Sequence, residues 1–115
     1  MKIDRIRSHI ESLDYVQVIG VDNIMNKVLD PIHIGFTAVN DYTVSLKTCS
    51  KAYPTEKVGV AAKKDGKYAI VEYSELNQEH AHALLDDGKT LKFRHGSILM
   101  FMFNAKYLLE LCESK

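Results

Sequence analysis

Ile3, Ile6, Ile10 and Leu13 recur at three- and four-residue steps among charged positions, which is the spacing of one helix face. The pattern predicts an amphipathic first helix that ends at Asp14 and packs on another element. Tyr15-Val16-Gln17-Val18-Ile19-Gly20-Val21 follows. This run is rich in β-branched and aromatic residues and apolar nearly throughout, as expected of a strand buried on both faces. A helix feeding a buried strand points to an α/β sheet.

Asp22 or Asn23 would cap a short helical stretch from Ile24 to Leu29, since these residue types lead at helix N-caps. Asp30-Pro31 predicts the start of a second helix, with Pro31 in the first turn, where its missing N–H is not needed. Ile34, Phe36 and Val39 would form its apolar side, and Asn40-Asp41 its stop. Thr43 to Thr48 is a β-prone run, and a loop through Tyr53-Pro54 leads onward.

Two apolar, β-prone runs then flank Asp65-Gly66, the pair that closes a hairpin through a type I′ turn. Counting outward from Lys64 and Lys67 puts Gly59 opposite Glu72. Side chains alternate faces, so Val58, Val60, Ala62, Ala69, Val71 and Tyr73 share one face, and Gly59, Ala61, Ile70 and Glu72 the other. The first face reads as core.

Beyond the hairpin, Ser74 would cap a helix from about Glu75 to Leu85, with Leu76, Ala83 and Leu84 inward. Asp86-Asp87-Gly88 reads as a turn and Leu91-Lys92-Phe93 as a short strand. Ile98 to Phe103 is a second all-apolar strand. Asn104 would cap a last helix through Leu111, with Tyr107, Leu108 and Leu111 inward.

Composition narrows the function. At 115 residues the chain is one domain in size, with no internal boundary expected. Lys and Arg total 15 and Asp and Glu total 15, so the basic footprint of a nucleic-acid binder is missing. The charged start, Met1 to Arg7, does not resemble a secretory signal, and no run approaches the roughly 18 apolar residues of a membrane span. Cys49 and Cys112 are far apart, without disulfide-framework or zinc spacing. A cytoplasmic location with reduced thiols is the expectation.

Phosphate-binding glycine loops, a nucleophile elbow, C-x-x-C and H-E-x-x-H are all absent. His80 and His82 lie two apart and so on different helix faces, which reads as surface placement. His95, beside Gly96, reads as a site residue or as a solvated loop histidine. Asp22 is either a cap or a metal or phosphate ligand, since ligands of open α/β sheets bind outside the carboxyl ends of strands. Gly59 and Glu72 have two readings as well. Gly59 is a bulge glycine beside a solvated carboxylate, or a hydroxylated ligand lies over Gly59 while Glu72 accepts its O–H bonds.

Several stretches resemble the eukaryotic UDP-N-acetylglucosamine (UDP-N-acetylhexosamine) pyrophosphorylases. They are Gly20-Val21-Asp22-Asn23-Ile24, Lys27 to Pro31 with Ile34-Gly35-Phe36, Pro54-Thr55-Glu56-Lys57-Val58-Gly59-Val60, Asp65-Gly66-Lys67-Tyr68 and Val71-Glu72-Tyr73-Ser74-Glu75. They keep the family's order from about Tyr15 to Phe103. The resemblance implies a partial nucleotide-sugar transferase fold, Rossmann-like, with a mixed sheet, flanking helices and the hairpin. It implies that UTP and a sugar 1-phosphate give a UDP-sugar and pyrophosphate with Mg²⁺ assisting. Asp22 then lies near the metal and phosphates, Gly59 and Glu72 contact the sugar, and the hairpin register agrees by placing those two side by side.

Two departures qualify the picture. The family's upstream uridine-binding glycine loop and downstream phosphate lysine have no counterpart here, which implies an inactive internal piece of a larger enzyme whose truncated sheet edges favour self-association. At His95-Gly96-Ser97-Ile98-Leu99-Met100-Phe101 the family reads Ala-Gly-Asn-Ile-x-Asn-His. Ser97 replaces a sugar-contacting asparagine with a shorter group that offers one donor rather than two. The alternatives are therefore a pyrophosphorylase for another sugar 1-phosphate, or a non-catalytic module that binds sugar nucleotides or a protein.

Overall fold

The computed structural model describes residues 2 to 114, with side-chain environments from Asp4 onward. Among the described residues five strands, β1 (Tyr15–Ile19), β2 (Val44–Ser50), β3 (Val60–Lys64), β4 (Lys67–Val71) and β5 (His95–Asn104), are joined by backbone pairing in the order β1-β5-β3-β4, with β2 also paired to β5. The expected α/β architecture with flanking helices and a β-hairpin is present, and the registered pairings are antiparallel. Backbone contacts of the described residues gather into two compact units, one of residues up to 46 with those from 99 on, the other of residues 47–98.

In the first unit α1 (Lys2–Glu11) packs on α4 (Ala105–Glu113). The Arg7 guanidinium donates to Glu11 Oε1 at 3.0 Å and also to Glu113, which ties the two helices together. Asn104 Oδ1 accepts from Tyr107 N at 3.2 Å, the cap its residue type predicts. Of the inward set, Tyr107 and Leu108 are half-buried and Leu111 is exposed.

β1 (Tyr15–Ile19) pairs with β5 (His95–Asn104) from Tyr15↔Asn104 to Ile19↔Met100. It is shorter than expected and not buried on both faces, because Val18 is 48% exposed and Val21, beyond its end, is exposed altogether. Met100, Met102 and Ala105 form the buried centre of this unit.

The stretch from Ile24 to Leu29 forms turns, not a helix. Asn23 Oδ1 accepts from Met25 N at 3.0 Å, and Gln17 spans the loop, donating to Lys27 O at 3.2 Å and accepting from Leu29 N at 2.6 Å. Side-chain amides that satisfy the backbone this way compete with helix formation.

Asp30 does cap α2 (Pro31–Val39), accepting from Ile32 N at 3.2 Å, and Asn40 ends it. The helix is turned the other way from the expectation. Phe36 and Val39 are exposed, while His33 and Thr37 are buried. The reason is a polar network. His33 Nε2 and Ser45 Oγ are 2.9 Å apart, Thr37 Oγ1 and Ser45 Oγ 2.6 Å, and Thr37 donates to His33 O at 2.7 Å. Ser45 lies on β2 (Val44–Ser50), so strand and helix satisfy each other's hydroxyls away from water.

The second unit is built on the hairpin. β3 (Val60–Lys64) and β4 (Lys67–Val71) pair in the expected register, from Val60↔Val71 to Lys64↔Lys67. Asp65 and Gly66 have φ of 52° and 79°, as a type I′ turn requires. Val60 is fully buried, in keeping with the core face, although Tyr73 at the end of that face is 48% exposed.

α3 (Gln78–His82) is shorter than expected and is capped by Asn77, not Ser74. Ser74 falls in a turn that Glu72 O closes by accepting from Glu75 N and Leu76 N. Ala81 is the buried residue of α3, Leu84 is 47% exposed, and His80 and His82 are on the surface as expected. Leu91 to Phe93 contributes one bridge, Leu84↔Leu91, in place of a strand. No described helix is long and apolar enough to cross a membrane.

The Asp86-Asp87-Gly88 turn is present. Asp87 Oδ1 accepts from Lys89 N at 2.9 Å and Thr90 N at 2.8 Å, and Thr90 Oγ1 donates to its other oxygen. These bonds favour the carboxylate and hold its pKa at about 2, below the ordinary 3.8. A depressed acid contributes stability that is present above its unfolded pKa and lost as pH falls through the folded one. An acid titration followed by NMR is therefore expected to move the Thr90 amide with a midpoint near 2, whereas a midpoint at 3.8 would break the assignment.

Candidate functional site

Three of the four candidate residues meet in the second unit. Gly59 and Glu72 lie one step beyond the last hairpin pair, Val60↔Val71, and so on the same face. A Cβ built on Gly59 would stand 2.8 Å from Ile70 Cγ2, 3.2 Å from Glu72 Oε1 and 3.5 Å from its Cδ. The Glu72 carboxylate therefore lies across the bare backbone of Gly59, and the glycine is required for space.

Ser97 is brought in through the backbone. β3 meets β5 at Val60↔Gly96, and Ser97 N donates to Gly59 O at 2.7 Å. Gly96 is buried against Val58 and Lys51, because a Cβ there would be 2.9 Å from Val58 Cγ2 and 3.7 Å from Lys51 Cγ. By alternation Ser97 takes the opposite face, with Gly59 and Glu72. The result is a shallow polar step, with glycine backbone as floor, a carboxylate on one side and a hydroxyl-bearing residue on the other.

Asp22 stands in the first unit, past the end of β1, with an exposed side chain. Its Oδ1 would lie 3.0 Å from a Cβ on Gly20, whose N–H donates to Leu99 O at 2.9 Å. The loop is held from below by Asn26, which donates to Gly20 O while its own Oδ1 is buried without a donor. Among the described residues no group of three or more His, Cys, Asp or Glu side chains is gathered as for a metal. A single carboxylate still suits Mg²⁺, which binds through one or two carboxylates and takes its other oxygens from phosphates and water.

His95 is exposed, with Nδ1 at 3.5 Å from Thr48 Oγ1. Met100, in the place of the family's second asparagine, is buried, and Phe101 stacks on Phe103 with ring centroids 6.0 Å apart. Ile70, which walls Gly59, was not singled out from the sequence. The signal was present in the hairpin register, where Ile70 shares the Gly59 face. The amides of Gln17 and Asn26, which shape the Asp22 loop, carry no comparable signal.

The hairpin thus sets the Glu72 carboxylate over the Gly59 backbone at the end of its paired strands, on an α/β scaffold. The chain belongs to the UTP–glucose-1-phosphate uridylyltransferase family, whose model matches residues 9–114. It is 40% identical over 96 residues to the UDP-N-acetylhexosamine pyrophosphorylase-like protein 1 of Xenopus tropicalis, covering 84% of this chain and 19% of that protein. It is 36% identical over 101 residues to the UDP-N-acetylglucosamine pyrophosphorylase of Saccharomyces cerevisiae, covering 88% and 20%. The crystal structure of the uridine diphosphate N-acetylglucosamine pyrophosphorylase from Trypanosoma brucei superposes with a TM-score of 0.83 at 31% identity, over 96% of this chain and 22% of that one. The chain thus spans about one fifth of the length of the curated relatives it matches.

Proposed function

We propose that this chain is the sugar-side part of a uridylyltransferase that converts UTP and N-acetylglucosamine 1-phosphate into UDP-N-acetylglucosamine and pyrophosphate. The observation that carries the reading is the Glu72 carboxylate laid over Gly59 with Ser97 beside it. Family membership and the names of the relatives support the reaction class.

In this reading the sugar ring lies on the Gly59 backbone, where any side chain would displace it. Glu72 accepts hydrogen bonds from two sugar hydroxyls, and the Ser97 hydroxyl contributes one more polar contact. A phosphate oxygen of the sugar 1-phosphate attacks the α-phosphorus of UTP, the bond to the β-phosphate oxygen breaks, and pyrophosphate leaves. Such transfers depend on positioning and charge neutralisation more than on covalent catalysis. Asp22 would hold Mg²⁺, which neutralises phosphate charge when bound. The 115-residue chain alone releases no pyrophosphate.

The test is Glu72→Ala in the complete enzyme that carries this chain. The expected result is a KM for N-acetylglucosamine 1-phosphate raised by tenfold or more, as for loss of a hydrogen bond to a charged group worth about 1.5–3 kcal/mol, with the KM for UTP unchanged. Unchanged turnover and KM would remove Glu72 from the sugar site. Ser97 favours a second reading, in which the preferred sugar differs. Comparing glucose 1-phosphate and galactose 1-phosphate with the N-acetyl substrate decides it, because preference for either would locate the change at Ser97 to Phe101.

A further inference from the structure

A cavity of about 470 Å³ opens in the second unit between the 50–54 loop and the 84–94 segment. Lys51, Lys89 and Arg94 line it together with Tyr53, Leu84 and Leu91, and no carboxylate does. Its walls are fixed by backbone bonds. Lys51 N donates to Arg94 O at 2.8 Å, Leu85 N to Thr90 O at 2.8 Å, and Leu84 bridges Leu91.

Of the nearby carboxylates, Asp87 and Glu56 are held by backbone and hydroxyl donors, and Asp87 also interacts electrostatically with Arg94. Asp87 is wrapped by the Lys89 and Thr90 N–H groups and the Thr90 hydroxyl, and Glu56 Oε2 accepts from Ala52 N at 2.6 Å. The Lys51 ammonium is anchored by donating to Pro54 O at 2.7 Å, with two further protons to give. Lys51, Lys89 and Arg94 thus line one concave, partly apolar space, whose lining includes no carboxylate.

This cavity is separate from the sugar cluster. The Lys51 stem lies over the Gly96 face of β5, whereas Ser97 alternates to the opposite face with Gly59 and Glu72.

We propose that the cavity binds a phosphorylated small molecule. Lys51, Lys89 and Arg94 hold its phosphate oxygens, and its organic body lies on Leu84, Leu91 and the Tyr53 ring. A guanidinium offers a planar fork that matches two phosphate oxygens at once, and lysines add point charge. Leu84, Leu91 and Tyr53 offer apolar surface beside these cations. The site goes beyond the uridylyltransferase reading and does not depend on it.

The test is titration of the isotope-labelled chain with inorganic pyrophosphate and, separately, with ADP, followed by amide NMR. Saturable shifts centred on Lys51, Lys89, Thr90 and Arg94 are expected, weakening as salt is added. Lys89→Ala and Arg94→Ala each weaken pyrophosphate binding about tenfold, the loss of one hydrogen bond to a charged group, with amides elsewhere unmoved. Glu72→Ala leaves binding unchanged, which separates this site from the sugar site. Absence of saturable shifts, or parent-like affinity when Lys89→Ala and Arg94→Ala are combined, overturns the proposal. Equal affinities for ADP and pyrophosphate would overturn the part assigned to the organic body.

Discussion

Gly59→Ala is expected to destabilise the chain by about 1–3 kcal/mol, the usual cost of forcing one extra group into a packed site. The new Cβ would stand 2.8 Å from Ile70 Cγ2, closer than real Cβ contacts come, and 3.2 Å from Glu72 Oε1. The carboxylate can swing away into solvent. The Ile70 methyl cannot, because it branches directly from a Cβ on a paired strand position, Ala61↔Ile70. For a chain of this size the midpoint of thermal unfolding should fall by roughly 4 °C for each kcal/mol.

The origin of that cost is checked by a double-mutant cycle. In an Ile70→Ala background the same Gly59→Ala change should cost much less, since the clashing methyl is gone, and the coupling should reach about 0.5–3 kcal/mol. Equal costs in both backgrounds would show that Gly59 is there for backbone freedom and not for space. The cycle bears on function as well. If the sugar lies on Gly59, relieving the clash in the Ile70→Ala background does not restore sugar binding, because the methyl added at residue 59 still occupies the floor.

The hairpin was legible because every determinant in it is local. Asp65-Gly66 demands positive φ at two successive residues, and that turn fixes the register, which in turn fixes the faces. The placement of Gly59 beside Glu72 follows by counting. The capping aspartate and asparagine, Asp30 and Asn104, were legible for the same reason, since a cap needs only the next three residues.

What was not legible depends on partners distant in sequence. Ile24 to Leu29 has helical composition, yet Gln17, ten to twelve residues earlier, takes the backbone groups of Lys27 and Leu29. Leu99 adopts φ of 53° inside β5, a conformation that costs a non-glycine residue about 1–2 kcal/mol and that no leucine announces. Lys51, Lys89 and Arg94 are spread over more than 40 residues and converge through the 51–94 and 85–90 backbone bonds and the 84–91 bridge. Glu72 and Gly59 were legible as neighbours because the turn joins them, while the basic residues of the cavity come together only in the fold.

The orientation of α2 gives the sharpest disagreement and the second large prediction. Apolar residues were expected inward, yet His33 is 4% and Thr37 0% exposed, whereas Val39 is 87% exposed. A polar face turns inward only where its groups are satisfied, and here Ser45 on β2 meets both the His33 ring and the Thr37 hydroxyl. His33→Ala removes a buried ring and one member of that network, so it should cost about 2–4 kcal/mol through the cavity and the broken hydrogen bond. Val39→Ala, on the same helix, should stay within about 0.5 kcal/mol, as substitutions on an exposed surface do. Chemical denaturation of the two variants beside the parent chain measures both. A larger loss for Val39→Ala would reverse the helix, returning its hydrophobic side to the interior and leaving the His33, Thr37 and Ser45 contacts without a part in folding.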